Sequence, residues 1–320
     1  MATVSEGNSQ LLGSVSAALT VLGKLVLACF IGFVKAVLPR GVLPRKNVQG
    51  ETVLITGSGS GLGRLMAIEF AKLGANLVLW DINEPANEET KKMVEKHGAK
   101  ATSYTVDLSK REQIYATAER VKGEAGNVSI LINNAGVVTG KSLMDSSDEK
   151  ILLTMAINAN AVVFTTKAFL PHMLEVNSGH IVTISSIAGK VGIAGLVDYC
   201  MSKHASVGFT SALTEELIHL KKSGIRTTTV CPYVINTGMF DGFKNSCPWL
   251  IPILSPSYVV ENIMEAVLTE MEIIYIPKLC YFLIFLLNFL PTSCTHIICE
   301  YLQANDAMDT FVGRSIALSS

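Results

Sequence analysis

Tyr199 and Lys203 stand four residues apart in "DYCMSKHASVGF", a stretch that reads as the start of a helix, so both project from one helical face within reach of each other. On that stretch alone the pair also reads as a solvated surface pair. A free phenol, with a pKa of about 10, is a poor base at neutral pH. An ammonium one turn away favours the phenolate, and a drop of ~3 pKa units is worth about 4 kcal/mol. Tyr199 is thereby a candidate proton acceptor for a hydroxyl group, and a donor in the reverse direction.

A second cluster suits phosphate rather than protons. "TGSGSGLG", with Gly57, Ser58, Gly59, Ser60, Gly61, Leu62 and Gly63, follows the strand candidate "TVLIT" (52–56) and leads into the helix "RLMAIEFAKLG". Glycines there permit a tight turn and let the backbone approach a pyrophosphate facing a helix N-terminus. The next strand ends in "VLWD", placing Asp81 about twenty residues beyond the turn, where a carboxylate accepts the adenosine ribose hydroxyls of a dinucleotide. A 2′-phosphate would meet that charge repulsively, and neither position 60 nor 82 is basic, so the expected cofactor is NAD rather than NADP. Arg64 is the one cation near enough to oppose this. Asp81 also reads as the cap of a helix in "INEPANEETKKM".

Four ordered motifs together carry a resemblance. "TGSGSGLG" after strand one, "NNAG" (133–136) after strand four, a serine in "ISS" and Tyr-x-x-x-Lys thirteen residues beyond Ser186 are similar in order and spacing to those of the short-chain dehydrogenase/reductase family, over roughly residues 50–276. The resemblance implies hydride transfer to a nicotinamide, whose positive oxidised form adds to the pull on the phenol. It implies that Ser186 hydrogen-bonds the reacting oxygen, that Lys203 also binds the nicotinamide ribose, and that Asn158 holds a water relaying protons to solvent. Asn160 rivals Asn158, and Ser185 rivals Ser186; distance before the serine and spacing to the tyrosine favour Asn158 and Ser186. Asp107, Asn134, Ala135, Gly136, Pro232 and Thr237 fall where the family contacts its cofactor. The chain departs from the pattern at "CPYVINTGMF", with Pro232-Tyr233 where the family usually has Pro-Gly. Asp198, beside the tyrosine, reads as an N-cap.

Positioning these groups needs a particular scaffold. Strand candidates at 52–56, 76–80, 101–106, 129–133, 180–185, 226–231 and 272–276 alternate with helical patterns at 62–73, 109–123, 149–176 and 199–221. Strands that are apolar throughout, separated by helices, predict a doubly wound α/β domain: a Rossmann fold whose parallel sheet is covered on both faces. The predicted organisation is an N-terminal anchor over 1–46, a catalytic domain over 47–276 with a lid at 234–256, and an apolar segment over 277–320.

Composition adds lipid to the picture. Of 320 residues 49% are hydrophobic and 17% charged, and the net charge of −1 offers no basic field for nucleic acid. Seven scattered cysteines and six dispersed histidines indicate neither a disulfide framework nor a metal site. Leu11 to Leu38 is nearly continuous apolar sequence, about long enough to span a bilayer, and Arg40, Arg45 and Lys46 follow it, which places the remainder on the cytoplasmic side. A cleavable signal peptide would need the basic n-region that is missing here. Lys24 and Lys35 project from one side, which allows a helix lying in the membrane surface instead. "PKLCYFLIFLLNFLP" (277–291) is too short to span; it predicts an interfacial or re-entrant helix, or a cap over the substrate pocket.

The lid "NTGMFDGFKNSCPWLIPILSP" supplies Met239, Phe240 and Phe243 as substrate contacts and little that would recognise charge, which predicts an apolar alcohol. Docking on a membrane or another subunit is the alternative for these residues. Within the family, "LVLWDIN", "FTTKAFLPHMLE" and "VCPYVINTGMF" resemble the membrane-bound retinol dehydrogenase branch. That likeness implies oxidation of all-trans-retinol on endoplasmic reticulum or lipid droplets, and a homodimer through 149–176 and 199–221. A hydroxysteroid or long-chain alcohol dehydrogenase keeps the same fold, and a catalytically silent lipid-droplet coat is the reading from another class.

Overall fold

The computed structural model describes residues 2–313, in two compact units that divide between Arg45 and Lys46. The first is built on helix α1, Ala2–Val37. Its stretch Ser14–Gly32 is long and apolar enough to cross a membrane, and its side chains are exposed. Of the two lysines behind the in-plane reading, Lys24 is exposed, and the side chain of Lys35 lies outside the described residues.

The second unit carries seven parallel strands: β1 (Thr52–Thr56), β2 (Asn76–Asp81), β3 (Ala101–Thr105), β4 (Ile130–Asn133), β5 (Gly179–Ile184), β6 (Ile225–Pro232) and β7 (Ile273–Ile276). Their order is β3-β2-β1-β4-β5-β6-β7, the Rossmann arrangement expected from sequence. The pleat explains why a central strand such as β1 is apolar on both faces. In β1, Val53 and Ile55 enter one buried layer with α2 (Gly61–Lys72) and α8 (Pro256–Leu268), whereas Leu54 enters the other, against α4 (Arg111–Glu124), α6 (Ala161–Val176) and α7 (Val197–His219). On the α2 side, with Val94 in that layer, lies α3 (Glu84–Glu95), capped by Asn83, whose side chain accepts from Ala86 N–H at 3.0 Å. Asn83, rather than Asp81, therefore starts this helix.

The stretch expected as one helix over 149–176 begins with α5 (Asp148–Met155) and passes through a π-helical turn, Ala156–Asn160, before α6. A π turn inserts an extra residue without ending the helix and shifts the side chains that follow it. After β7 come α9 (Leu279–Phe289), α10 (Thr292–Tyr301) and an irregular stretch to Gly313. The sequence reading had no separate α10. Phe282, Phe285 and Phe289 leave α9 with an exposed aromatic face.

Candidate active site

The strand order reverses between β1 and β4, and a crevice forms there at the C-terminal strand ends. The glycine turn fills one side of it. A Cβ on Gly63 would run into the Gly57 carbonyl and reach 2.8 Å from Asn134 Nδ2, so the helix packs this tightly only with glycine. Asn134, from the turn after β4, donates through Nδ2 to the carbonyls of Thr56 (2.8 Å) and Gly57 (3.2 Å), and the N–H groups of Asn134 and Ala135 bond Thr56 Oγ1. Ser58 is buried and donates to Asn87 Oδ1 at 2.7 Å, while Ser60 precedes α2 as its N-cap residue and Leu62 packs on the core.

Asp81 ends β2 facing this turn. Its Oδ2 accepts Gly59 N–H and its Oδ1 accepts Asn83 N–H, both at 2.8 Å, and each oxygen keeps a further lone pair. The cation that threatened the NAD reading is occupied: Arg64 donates to the carbonyls of Gly59 (2.6 Å) and Ala86 (3.2 Å) and pairs with Glu89 at 2.7 Å. The cradle of glycines, helix N-terminus and acidic strand end fits a dinucleotide. Asp107 is half-buried at the end of the neighbouring strand, where burial opposes ionisation but hydrogen bonds from Ser109 and the charge of Lys110 hold its carboxyl below the usual range.

Tyr199 and Lys203 lie on one face of α7, both buried, with the lysine Nζ 5.6 Å from the centre of the phenol ring and donating to the Ile184 carbonyl at 3.0 Å. The N-cap expected at Asp198 falls instead on Leu196; Asp198 is in the first turn, where a negative charge meets the positive end of the helix. Ser186, at the end of β5, hydrogen-bonds Tyr199 and lies 3.4 Å from the Pro232 carbonyl. The rival Ser185 is turned away, donating to the Lys203 carbonyl and accepting from Ser206. Thr237, from the loop after β6, approaches Gly61, so that loop closes on the glycine turn.

Asn158 sits inside the π turn and is 1% exposed, whereas Asn160 is exposed. Its Oδ1 accepts Val137 N–H at 2.8 Å, and its Nδ2 donates to the Val137 carbonyl (2.8 Å) and to Ser202 Oγ (3.0 Å). The side chain thus clamps the segment after Gly136, and a Cβ on Gly136 would come within 3.6 Å of Lys203 Nζ. Phe240 packs edge-on against Tyr199, with ring centres 5.6 Å apart, and Phe243 joins the same apolar cluster. Met239 is half-buried in the same loop.

The electrostatics differ from the expectation. Burial pushes the Tyr199 phenol above its ordinary value, and the Ser186 hydrogen bond offsets only part of that. Burial likewise pulls the Lys203 ammonium down to about 8, with Cys231 acting the other way. Loss of water around both groups outweighs their mutual attraction, so this lysine does not make the phenol acidic by itself. Beside them Cys231 is fully buried, its thiol raised to about 12 by burial.

Residues 51–247 match the short chain dehydrogenase family. Epidermal retinol dehydrogenase 2 of Homo sapiens is 51% identical over 294 residues, covering 92% of this chain and 94% of that protein. Retinol dehydrogenase 10 of Homo sapiens is 44% identical, covering 84% and 87%. A solved metagenomic short-chain oxidoreductase in complex with NADP is 26% identical with a TM-score of 0.60, covering 72% of this chain and 97% of that one.

Proposed function

The chain belongs to the short chain dehydrogenase family and is an oxidoreductase, and on that premise we propose that it oxidises all-trans-retinol to all-trans-retinaldehyde with NAD at a membrane surface. The observation that carries the chemistry is the buried triangle of Tyr199, Lys203 and Ser186 beside the glycine cradle. The nicotinamide dinucleotide supplies the acceptor for the hydride that leaves the alcohol carbon. The positive charge of the oxidised nicotinamide would add to that of Lys203 to favour the phenolate, and Tyr199 in that form would take the hydroxyl proton, so that the carbon–oxygen bond becomes a carbonyl as the C–H and O–H bonds break. Ser186 donates its one hydroxyl proton to that oxygen and stabilises the charge developing there, and Lys203 contributes positive charge beside the ring. Asn158 fixes the wall next to Lys203 through its bonds to Val137 and Ser202, and its amide oxygen keeps a lone pair for a water that relays protons.

Gly57, Ser58, Gly59, Ser60, Gly61, Leu62 and Gly63 hold the pyrophosphate, and Asp107, Asn134, Ala135, Gly136, Pro232 and Thr237 complete the cofactor's surroundings. Asp81 selects NAD, because its carboxylate repels a 2′-phosphate and Arg64 is already engaged. The NADP bound by the metagenomic relative is a property of that protein. Met239, Phe240 and Phe243 give an apolar surface for the alcohol. The names of the two human relatives support retinol among apolar alcohols. Ser14–Gly32 anchors the enzyme in endoplasmic reticulum or lipid-droplet membrane, with Arg40, Arg45 and Lys46 keeping the catalytic unit on the cytosolic side.

Microsomes expressing the chain, supplied with NAD and a panel of retinol, hydroxysteroids and fatty alcohols, test this directly. Retinaldehyde is expected, with Tyr199→Phe lowering kcat/KM by at least about 10²–10⁴-fold. Product from steroids alone would overturn the retinoid assignment, and equal turnover by Tyr199→Phe would overturn the catalytic one.

A further inference from the structure

The stretch after α10 returns across the front of the site as a strap. It is tied to the lid by backbone and hydroxyl groups: Lys244 N–H donates to the Ala307 carbonyl (2.8 Å), Val312 N–H to the Asp241 carbonyl (2.8 Å) and Thr310 Oγ1 to the Gly242 carbonyl (2.7 Å). Only two of its larger side chains turn inward. Met308, 7% exposed, packs with Leu196, Tyr199 and Cys200, whereas Asp309, Thr310 and Val312 are exposed. Phe311 packs edge-on against Phe240 at 6.3 Å, and Phe240 in turn packs on Tyr199.

Two loops elsewhere in the chain are shaped to receive the strap. A Cβ on Gly195, just before α7, would reach 2.8 Å from Met308 Cβ, and one on Gly140, after β4, would overlap the Phe311 ring. Phe240 also lines a cavity of about 350 Å³ within the lid, between its two ends at Val234 and Ser255. The phenol is thus reached past a wall of Phe240, Met308 and Phe311, of which two members come from beyond the region that matches the family.

We propose that the strap, residues 307–313, forms the outer wall of the substrate pocket, and that Met308 and Phe311 are specificity-determining residues limiting the bulk of the apolar group next to the reacting carbon. This rests on Tyr199 as the proton acceptor. A methionine adapts its shape to a neighbour, and a phenylalanine held edge-on is a rigid stop, so the pair admits a slender apolar body and resists a fused ring system. Filling or emptying part of such a wall changes discrimination by roughly 10–200-fold.

The test is the ratio of kcat/KM for a hydroxysteroid to that for all-trans-retinol, measured with NAD on full-length protein in microsomes. Phe311→Ala and Met308→Ala are expected to raise the ratio roughly tenfold, or to bring steroid turnover into range where the parent has none, and Phe311→Trp to lower it. Ratios within about twofold of the parent in all three variants, with turnover retained, overturn the proposal. Should Phe311→Ala lose activity towards every alcohol, Phe311→Leu and Phe311→Trp keep the strap seated and are expected to shift the ratio in opposite senses; equal ratios in those two overturn it. If the parent oxidises no alcohol at all, the proposed function fails and the wall with it, whereas an active parent with unchanged ratios refutes the wall alone.

Discussion

Asp81 uses one carboxylate for two ends, gripping Gly59 and Asn83 while presenting its charge to the crevice. Asp81→Asn keeps the shape but removes the charge and turns one acceptor into a donor facing an N–H. The preference for NAD over NADP, read as the ratio of their kcat/KM values, is expected to fall by about tenfold or more, the worth of one charge-assisted hydrogen bond of about 1.5–3 kcal/mol. Lys203 permits a prediction about pH. Its value in the fold, about 8, lies below the 10.5 of an exposed lysine, so between these pH values the unfolded chain binds more protons than the folded one. Stability therefore rises as pH rises through that window, by about 3 kcal/mol for this group. Lys203→Met should flatten the rise in denaturant midpoint between pH 7.5 and 9, below the range where the raised thiols of Cys231 and Cys280 act the other way; a parent whose midpoint is flat from 7.5 to 9 would contradict the assignment. Tyr199 acts in the opposite sense at still higher pH: its raised value keeps a proton in the fold that the unfolded chain loses above about 10.

Among the elements, the π turn has the clearest energetic consequence. Asn158→Ala would leave the N–H and carbonyl of Val137 and the hydroxyl of Ser202 short of their partner, and a loss of about 2–4 kcal/mol is expected in chemical denaturation. An unchanged midpoint would show that the clamp carries no load. This turn was not legible in the sequence, because the apolar spacing over 149–176 is satisfied by an uninterrupted helix. The central strands were legible for a physical reason. Alternate residues such as Val53, Leu54 and Ile55 serve two buried layers, so a central run like this one must be apolar. The choice of Asn158 over Asn160 and of Ser186 over Ser185 followed from spacing; in the fold Asn158 is buried and Asn160 exposed, and Ser186 hydrogen-bonds Tyr199 while Ser185 donates to the Lys203 carbonyl. Spacing says nothing about solvent, which is why the rise of the Tyr199 phenol went unforeseen. Met308 and Phe311 were hidden for another reason: they are lone apolar residues in "QANDAMDTFVG", too sparse for any periodicity to mark.

At the scale of the whole molecule, the proposed anchor and the dehydrogenase fold belong to separate compact units. Removing residues 2–45 is expected to release the protein from membranes under alkaline carbonate while NAD binding persists, as measured by cofactor fluorescence. Retention of the shortened chain in the pellet would assign the anchor elsewhere, with the aromatic face of α9 the next place to look. The depth of Cys231 in the catalytic unit bears on how that unit can be observed in action. A thiol so well shielded, and held protonated, is a poor target for alkylating reagents, and Cys280 shares its burial and its raised value of about 11. Cys247, in the lid and only partly covered, remains open to them. With Cys29, Cys294 and Cys299 replaced by serine, a maleimide dye would accordingly mark the lid and spare the machinery beneath, reporting on the surroundings of the pocket's cover.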